Sequence, residues 1–133
     1  MTLKSLYEEP AALDEKLLVG VLGPLIRLTP NPIDESEAIR PLPAFDELNR
    51  RQKVLTVLIT QRARVSLGDI DAESLGVSPV QIEEWTGIPG GSLRPLLRRM
   101  LTDRIISQPD RGRYQVPLYA IERAAQEISG DSA

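Results

Sequence analysis

The sequence predicts a mainly α-helical fold with a small β-hairpin. Three observations predict it. Residues 50–67 run without a glycine or proline. In several other segments the apolar residues recur three and four positions apart, the spacing of one helix face. Near the C-terminal end, two short strand-like runs flank a turn built from Pro109, Asp110, Arg111 and Gly112, the residue types that reverse a chain.

Composition narrows the chemistry before any motif is considered. The chain has 133 residues, 41% of them hydrophobic and only 4% aromatic, so it can bury one largely aliphatic core. It contains no cysteine and no histidine. That removes disulfides, thiolate metal sites and the commonest general base and metal ligand. No phosphate-cradling glycine loop followed by lysine is present, so the expectation is a protein with no cofactor and no metal, and not an enzyme. Asp69, Asp71 and Glu73 lie close together but lack the calcium-loop pattern and its final glutamate, and read as a solvated loop. No apolar run approaches the roughly 20 residues that span a bilayer, and the first ten residues lack the basic-then-apolar pattern of a secretory signal. The expectation is therefore a cytoplasmic protein with no membrane partner.

Charge is unevenly spread. Residues 1–48 carry nine acidic side chains against four basic ones, a net −5, whereas residues 49–133 carry twelve basic against ten acidic, a net +2. Of the basic groups in the second part, only Lys53 is not arginine. Three segments follow: 1–45, an acidic N-terminal helix and proline-rich arm; 46–117, the main domain; and 118–133, a C-terminal helix and tail.

Taken in order, residues 11–22 predict a short amphipathic helix through Leu13, Leu17, Leu18 and Val21, ended or kinked at Gly23 and Pro24. Residues 25–28 read equally as a further turn or a short strand. Residues 29–44 contain Pro30, Pro32, Pro41 and Pro43 among acidic residues and read as an extended arm, with Ile33, Ile39, Leu42 and Phe45 as apolar anchors. Asn49 is a good N-cap with Gln52 three residues on, so a long helix starts at 50; Gly68 stops it. Its apolar residues, Val54, Leu55, Leu58, Ile59, Val65 and Leu67, cover more than one stripe and make it central.

Residues 69–77 form a loop with a brief strand near 75–77. Ser78 caps a second helix and Pro79 fits its first position. Ile82 and Trp85 share one face, Thr86 and Gly87 break the helix, and Ile88 returns to the core. Trp85 reads as a core anchor rather than a platform for base stacking. A third helix covers 92–103, burying Leu93, Leu96, Leu97, Met100 and Leu101 and turning Arg94, Arg98 and Arg99 mostly outward. The hairpin strands are 105–108 and 113–116, and a last helix spans 118–128 with Leu118, Ile121, Ala124, Ala125 and Ile128 as its apolar side.

Residues 78–116 thus run helix, tight turn, helix, hairpin. Ile82 through Ile88, the arginine-bearing helix from Ser92 to Leu101, the exit at Asp103, Arg104, Ile105 and Ile106, and the bend at Arg111, Gly112, Arg113 and Tyr114 resemble the winged helix-turn-helix family of DNA-binding domains. With the helix at 50–67 the resemblance covers about half the chain. It implies a winged helix-turn-helix with an N-terminal helical arm and a C-terminal helix. It also implies that Ser92, Arg94, Arg98 and Arg99 face the major groove, that Arg111 and Arg113 lie on the wing, and that Gly90 and Gly91 let the backbone approach phosphate. An arginine can grip guanine or phosphate bidentately, which is the chemistry such a face requires. The sequence departs from the family pattern in placing Glu83 where a small residue is usual. Pro95 is compatible with a helix that begins near Ser92, because a first-turn N–H needs no helical partner.

The function this implies is non-catalytic binding of duplex DNA, as a transcriptional regulator or an accessory factor of a DNA-handling system. The alternative is a winged-helix adaptor within a larger protein assembly with little or no DNA binding, which suits the low net charge and acidic arm. The N-terminal and C-terminal helices are equally candidates for a homodimer contact or for packing onto their own domain.

Overall fold

Residues 14–130 are described by the computed structural model, and they are organised around one helix, α3 (Arg50–Ser66). Before it come α1 (Glu15–Leu22), strands β1 (Ile26–Leu28) and β2 (Ile39–Pro41), and the single turn α2 (Pro43–Asp46). After it come α4 (Pro79–Thr86), α5 (Gly90–Thr102), the hairpin strands β3 (Ser107–Asp110) and β4 (Arg113–Gln115), and α6 (Ile121–Ile128). The fold is therefore mostly helical with a small antiparallel hairpin. Leu13, expected on the first helix, and residues 131–133 of the expected tail lie outside the described residues. Among the described residues no helix is long and apolar enough to cross a membrane.

The start of α3 follows from its first four residues. The Asn49 side chain accepts from the Gln52 N–H at 2.8 Å and the Gln52 side chain accepts from the Asn49 N–H at 3.0 Å, the reciprocal bonds expected from the sequence. The Gln52 amide also donates to the Glu127 carbonyl at 2.9 Å, tying the start of α3 to α6. From Val54 to Gln61 every side chain is buried, so the helix is surrounded rather than half-covered. Thr56 and Thr60 lie inside this stretch because their hydroxyls donate to the Gln52 and Thr56 carbonyls at 2.8 and 2.7 Å. α1, α4 and α6 pack on α3. The expected apolar residue Leu67 is instead exposed, since α3 ends just before it and it closes the helix at the surface.

The 25–28 segment is a strand. β1 pairs antiparallel with β2 in the register Ile26 with Pro41 and Leu28 with Ile39. The proline-rich arm is thus a folded excursion rather than an extended strap. Ile39 and Phe45 are buried as expected and Leu42 is partly so, but Ile33 is fully exposed: it sits at the tip of the excursion, between Asn31, whose φ is +48°, and the Asp34 cap. The Ser36 N–H bonds Asp34 at 3.0 Å and holds its carboxyl below the usual value.

α6 buries Ile121, Ala124, Ala125 and Ile128, whereas Leu118 of the expected face is exposed, because Leu118–Ala120 forms a short 3-10 turn before α6 begins. It packs on α3 and α1, so the apolar sides of both terminal helices are used within the chain. One cluster of buried side chains runs from Leu18 through Phe45, Leu58, Leu97 and Val116 to Ile128 and so includes all three segments.

The hairpin is shifted from its expected position. Pro109 and Asp110 belong to β3, and only Arg111 and Gly112 turn, with Gly112 at φ +79° where a side chain would be strained. Ile105 and Ile106 precede the strand and are buried. Proline is tolerated in β3 because the inner strand is β4, whose far edge is taken by Val77: Val77 and Tyr114 exchange backbone bonds of 2.8 and 2.9 Å. β3 is therefore an edge strand, where a missing N–H breaks no ladder bond.

A buried cation fastens the arm. Arg64 has a side chain only 4% exposed and donates both to the Gln61 amide oxygen at 2.9 Å and, through both terminal nitrogens, to the Glu35 carboxylate. The Trp85 indole N–H donates to the Glu35 carbonyl at 3.2 Å. Glu35→Ala leaves that guanidinium with the Gln61 amide alone. Breaking a fully buried pair costs about 3–5 kcal/mol, but Glu35 is partly in water, so a loss of about 1–2 kcal/mol is expected in equilibrium urea unfolding.

Candidate nucleic-acid interface

The candidate site is built on the angle between α4 and α5. Ser78 accepts from the Gln81 N–H at 3.3 Å and Pro79 occupies the first helical position, which fixes where α4 begins. α4 ends at Gly87, whose φ of +74° is left-handed. Thr86 completes the turn: its hydroxyl donates to the Ile82 carbonyl at 2.7 Å and accepts from the Ile88 N–H at 3.2 Å. Ile88 is buried and Pro89 leads into α5. Trp85 is buried, with its indole N–H bonded within the chain.

α5 begins at Gly90, two residues before the expected start, so Pro95 lies inside the helix rather than in its first turn. The Pro89 carbonyl nucleates the helix, accepting from both Ser92 and Leu93 at 2.9 Å. Because Pro95 has no N–H, the Gly91 carbonyl loses its helical donor, and it lies on the exposed side of α5 where water can replace it. The expected inner face, Leu93, Leu96, Leu97 and Met100, is buried, and Leu101 is partly buried.

The expected contact residues divide into groups. Arg94, Arg98 and Arg99 are all exposed. At about 100° per residue, Arg94 and Arg98 stand about 40° apart, whereas Arg99 stands about 140° from Arg94. Arg94 and Arg98 therefore share a flank, and Arg99 is turned toward the start of α3, where it lines a cavity with Arg50 and Arg51. Ser92 is partly buried, on the Arg99 side of the helix. Gly90 is partly buried and Gly91 exposed. A Cβ on Gly90 would stand 3.2 Å from the Glu83 carboxylate, so an anion already lies against the first turn of α5. That carboxylate lies beside the N-terminal turn of α5, the end of a helix where a negative charge is favoured.

On the hairpin, Arg111 and Arg113 are both exposed, Arg111 in the two-residue turn. Arg113 lies across Gly76, where an added Cβ would come within 3.0 Å of the Arg113 Cβ, so glycine lets the two segments approach. Arg113 also lines a cavity of about 300 Å³ with Glu35, Gln81 and Trp85. The cavities thus separate Arg99 from Arg113.

Other arginines, among them Arg51, Arg62 and Arg64, serve the fold. Arg64 is the buried cation described above. Arg62 donates to the Val116 carbonyl at 3.0 Å, and burial pushes its guanidinium below the usual value. Arg51 bonds Asp103 at 2.6 Å and Glu127 at 2.7 Å; burial lowers its pKa, but these two hydrogen bonds outweigh that and hold it raised. Sequence reasoning missed the roles of Glu35 and of Glu83 over Gly90. The partner positions of Glu35 lie 29 and 50 residues away, so no local spacing signals them. Among the described residues no group of three or more acidic residues is placed to hold a metal ion. Comparison with protein-family models, with curated proteins and with solved structures finds no match to this chain.

Gly87→Ala tests the turn directly. Space beside Gly87 is open, so the substitution meets no neighbour and its cost is the left-handed backbone itself, about 1–2 kcal/mol. Thermal unfolding should show that loss, and Gly87→Asn should recover part of it.

Proposed function

We propose that the chain is a non-catalytic duplex-DNA-binding protein of winged helix-turn-helix architecture, a transcriptional regulator or an accessory factor of a DNA-handling system. The observation that carries this reading is the exposed Arg94 and Arg98 flank of α5, the second helix of a helix–turn–helix that is followed directly by an arginine-bearing hairpin. The Val77 bridge to Tyr114 supports it, because a strand segment before α4 pairing with the inner hairpin strand is the arrangement a wing requires. In this reading α5 enters the major groove, Arg94 and Arg98 contact base edges or phosphate, and Arg111 and Arg113 hold the flanking backbone. In the same reading Gly91, on the Arg94 and Arg98 side of α5, lets the backbone approach phosphate, whereas Ser92, on the Arg99 side, stands away from the groove.

The adaptor reading is favoured by one observation, the Glu83 carboxylate against the start of α5, which disfavours phosphate there. Both readings meet in one experiment, binding to random duplex followed by fluorescence anisotropy across a salt series. DNA binding should weaken steeply with salt. Arg94→Ala with Arg98→Ala should lower affinity by at least about tenfold and reduce the salt slope by about two. Absence of binding at low salt would favour the adaptor.

Glu83→Gln removes the competing charge while keeping the side chain's shape. It should raise duplex affinity by about threefold, with the gain largest at low salt. An unchanged affinity in the same titration would mean that phosphate does not approach the start of α5.

A further inference from the structure

We propose that the open cavity between the start of α3 and the far half of α5 binds a phosphate group. The cavity has a volume of about 810 Å³. Arg50 and Arg51 line it from α3, Arg99 lines it from α5, and Leu48 and Leu96 contribute apolar wall. Asp103 also lines it and is paired with Arg51 at 2.6 Å. Arg51 is further held by Glu127 at 2.7 Å, so its guanidinium is fixed as part of the wall.

Arg50 and Arg99 differ from Arg51. Both are exposed, and neither donates a side-chain hydrogen bond or forms an ion pair among the described residues. Two guanidiniums without a hydrogen-bonded partner therefore border one cavity from different helices, and with Arg51 they leave one positive charge in excess over Asp103 and Glu127. Holding like charges there is unfavourable until an anion bridges them. Phosphate suits the gap: it carries up to two charges and offers acceptor oxygens to more than one planar fork. The apolar wall strengthens the attraction by keeping water from part of the cavity. Of the first-turn N–H groups of α3, that of Gln52 is already bonded to Asn49 at 2.8 Å, so the side chains of Arg50 and Arg99 carry the proposal.

Helical spacing, which turns Arg99 about 140° from Arg94, brings it to this cavity. The phosphate has two possible sources. A free phosphate ester or pyrophosphate needs nothing from the DNA-binding reading. A phosphate of the DNA backbone rests on that reading and extends the contact surface past the end of α5.

The test uses the full chain and the double variant Arg50→Ala with Arg99→Ala. Both sites are exposed, so the variant should keep its fold, which its unfolding curve checks. Pyrophosphate is titrated against ¹⁵N-labelled protein while the amides of Asn49, Arg50, Arg99 and Thr102 are followed, and duplex DNA is titrated by anisotropy. Saturable shifts at those amides that weaken at least about tenfold in the double variant, with duplex affinity unchanged, establish a free phosphate as the ligand. A duplex affinity that falls at least about fivefold, with the salt slope reduced by about two, establishes the backbone phosphate. Binding of pyrophosphate by a protein that binds no duplex keeps the cavity and removes the DNA-binding reading. If pyrophosphate gives no saturable shift and the double variant binds duplex as the parent does, the proposal is wrong, whether or not Arg94 and Arg98 matter.

Discussion

Everything in this fold is arranged around a charge that has been taken out of water. The Arg64 guanidinium lies on a helix buried on all sides through its middle, and such a cation is tolerated only with its hydrogen-bonding capacity met. The Gln61 amide comes from the same helix. The Glu35 carboxylate must come from outside it, and this brings the arm against the domain. Once there, the Glu35 main chain also takes the indole N–H of Trp85. One short turn thereby links the arm, the central helix and the helix that leads into the candidate site. Among the described residues no buried side-chain nitrogen or oxygen lacks a partner, so the central helix carries its polar groups without a residual penalty.

The arginines follow two patterns, and the difference explains how an acidic chain can carry local positive surface. Arg51, Arg62 and Arg64 spend their donors inside the molecule, on Asp103 and Glu127, on the Val116 carbonyl, and on Glu35 and Gln61. Arg94, Arg98 and Arg111 do not; they stand in solvent on α5 and the hairpin. The net charge of −3 averages over both populations and over the acidic leader, so it is a poor guide to any one face. Glu83 modulates this pattern locally, placing a negative charge beside Gly90 in the first turn of α5.

Much of the architecture was legible because it is encoded locally. The reciprocal bonds of Asn49 and Gln52, the Ser78 cap with Pro79, and the break at Gly87 each depend on residues within a few positions. The arm was harder. β1 and β2 pair across a ten-residue excursion, and nothing in Ile26, Arg27 and Leu28 alone decides between a turn and a strand until Ile39 to Pro41 lies beside them. Pro109 reads as a turn residue from the sequence alone, because its suitability for a strand depends on which edge Val77 occupies, a tertiary fact. The outward direction of Arg94 and Arg98 followed from helical spacing. The separation of Arg99 into its own cavity required knowing where the start of α3 would lie.

The placement of Pro109 has a further consequence. An outer strand with free N–H and C=O groups is a template on which another chain can add itself, and long flat edges of that kind lead to aggregation. Here the outer strand is four residues long and contains Pro109, which cannot donate, and charged Asp110, and its pairing with β4 is irregular between Ser107 and Asp110. The hairpin can therefore project its arginine-bearing tip into solvent while offering neighbouring copies no regular ladder to extend.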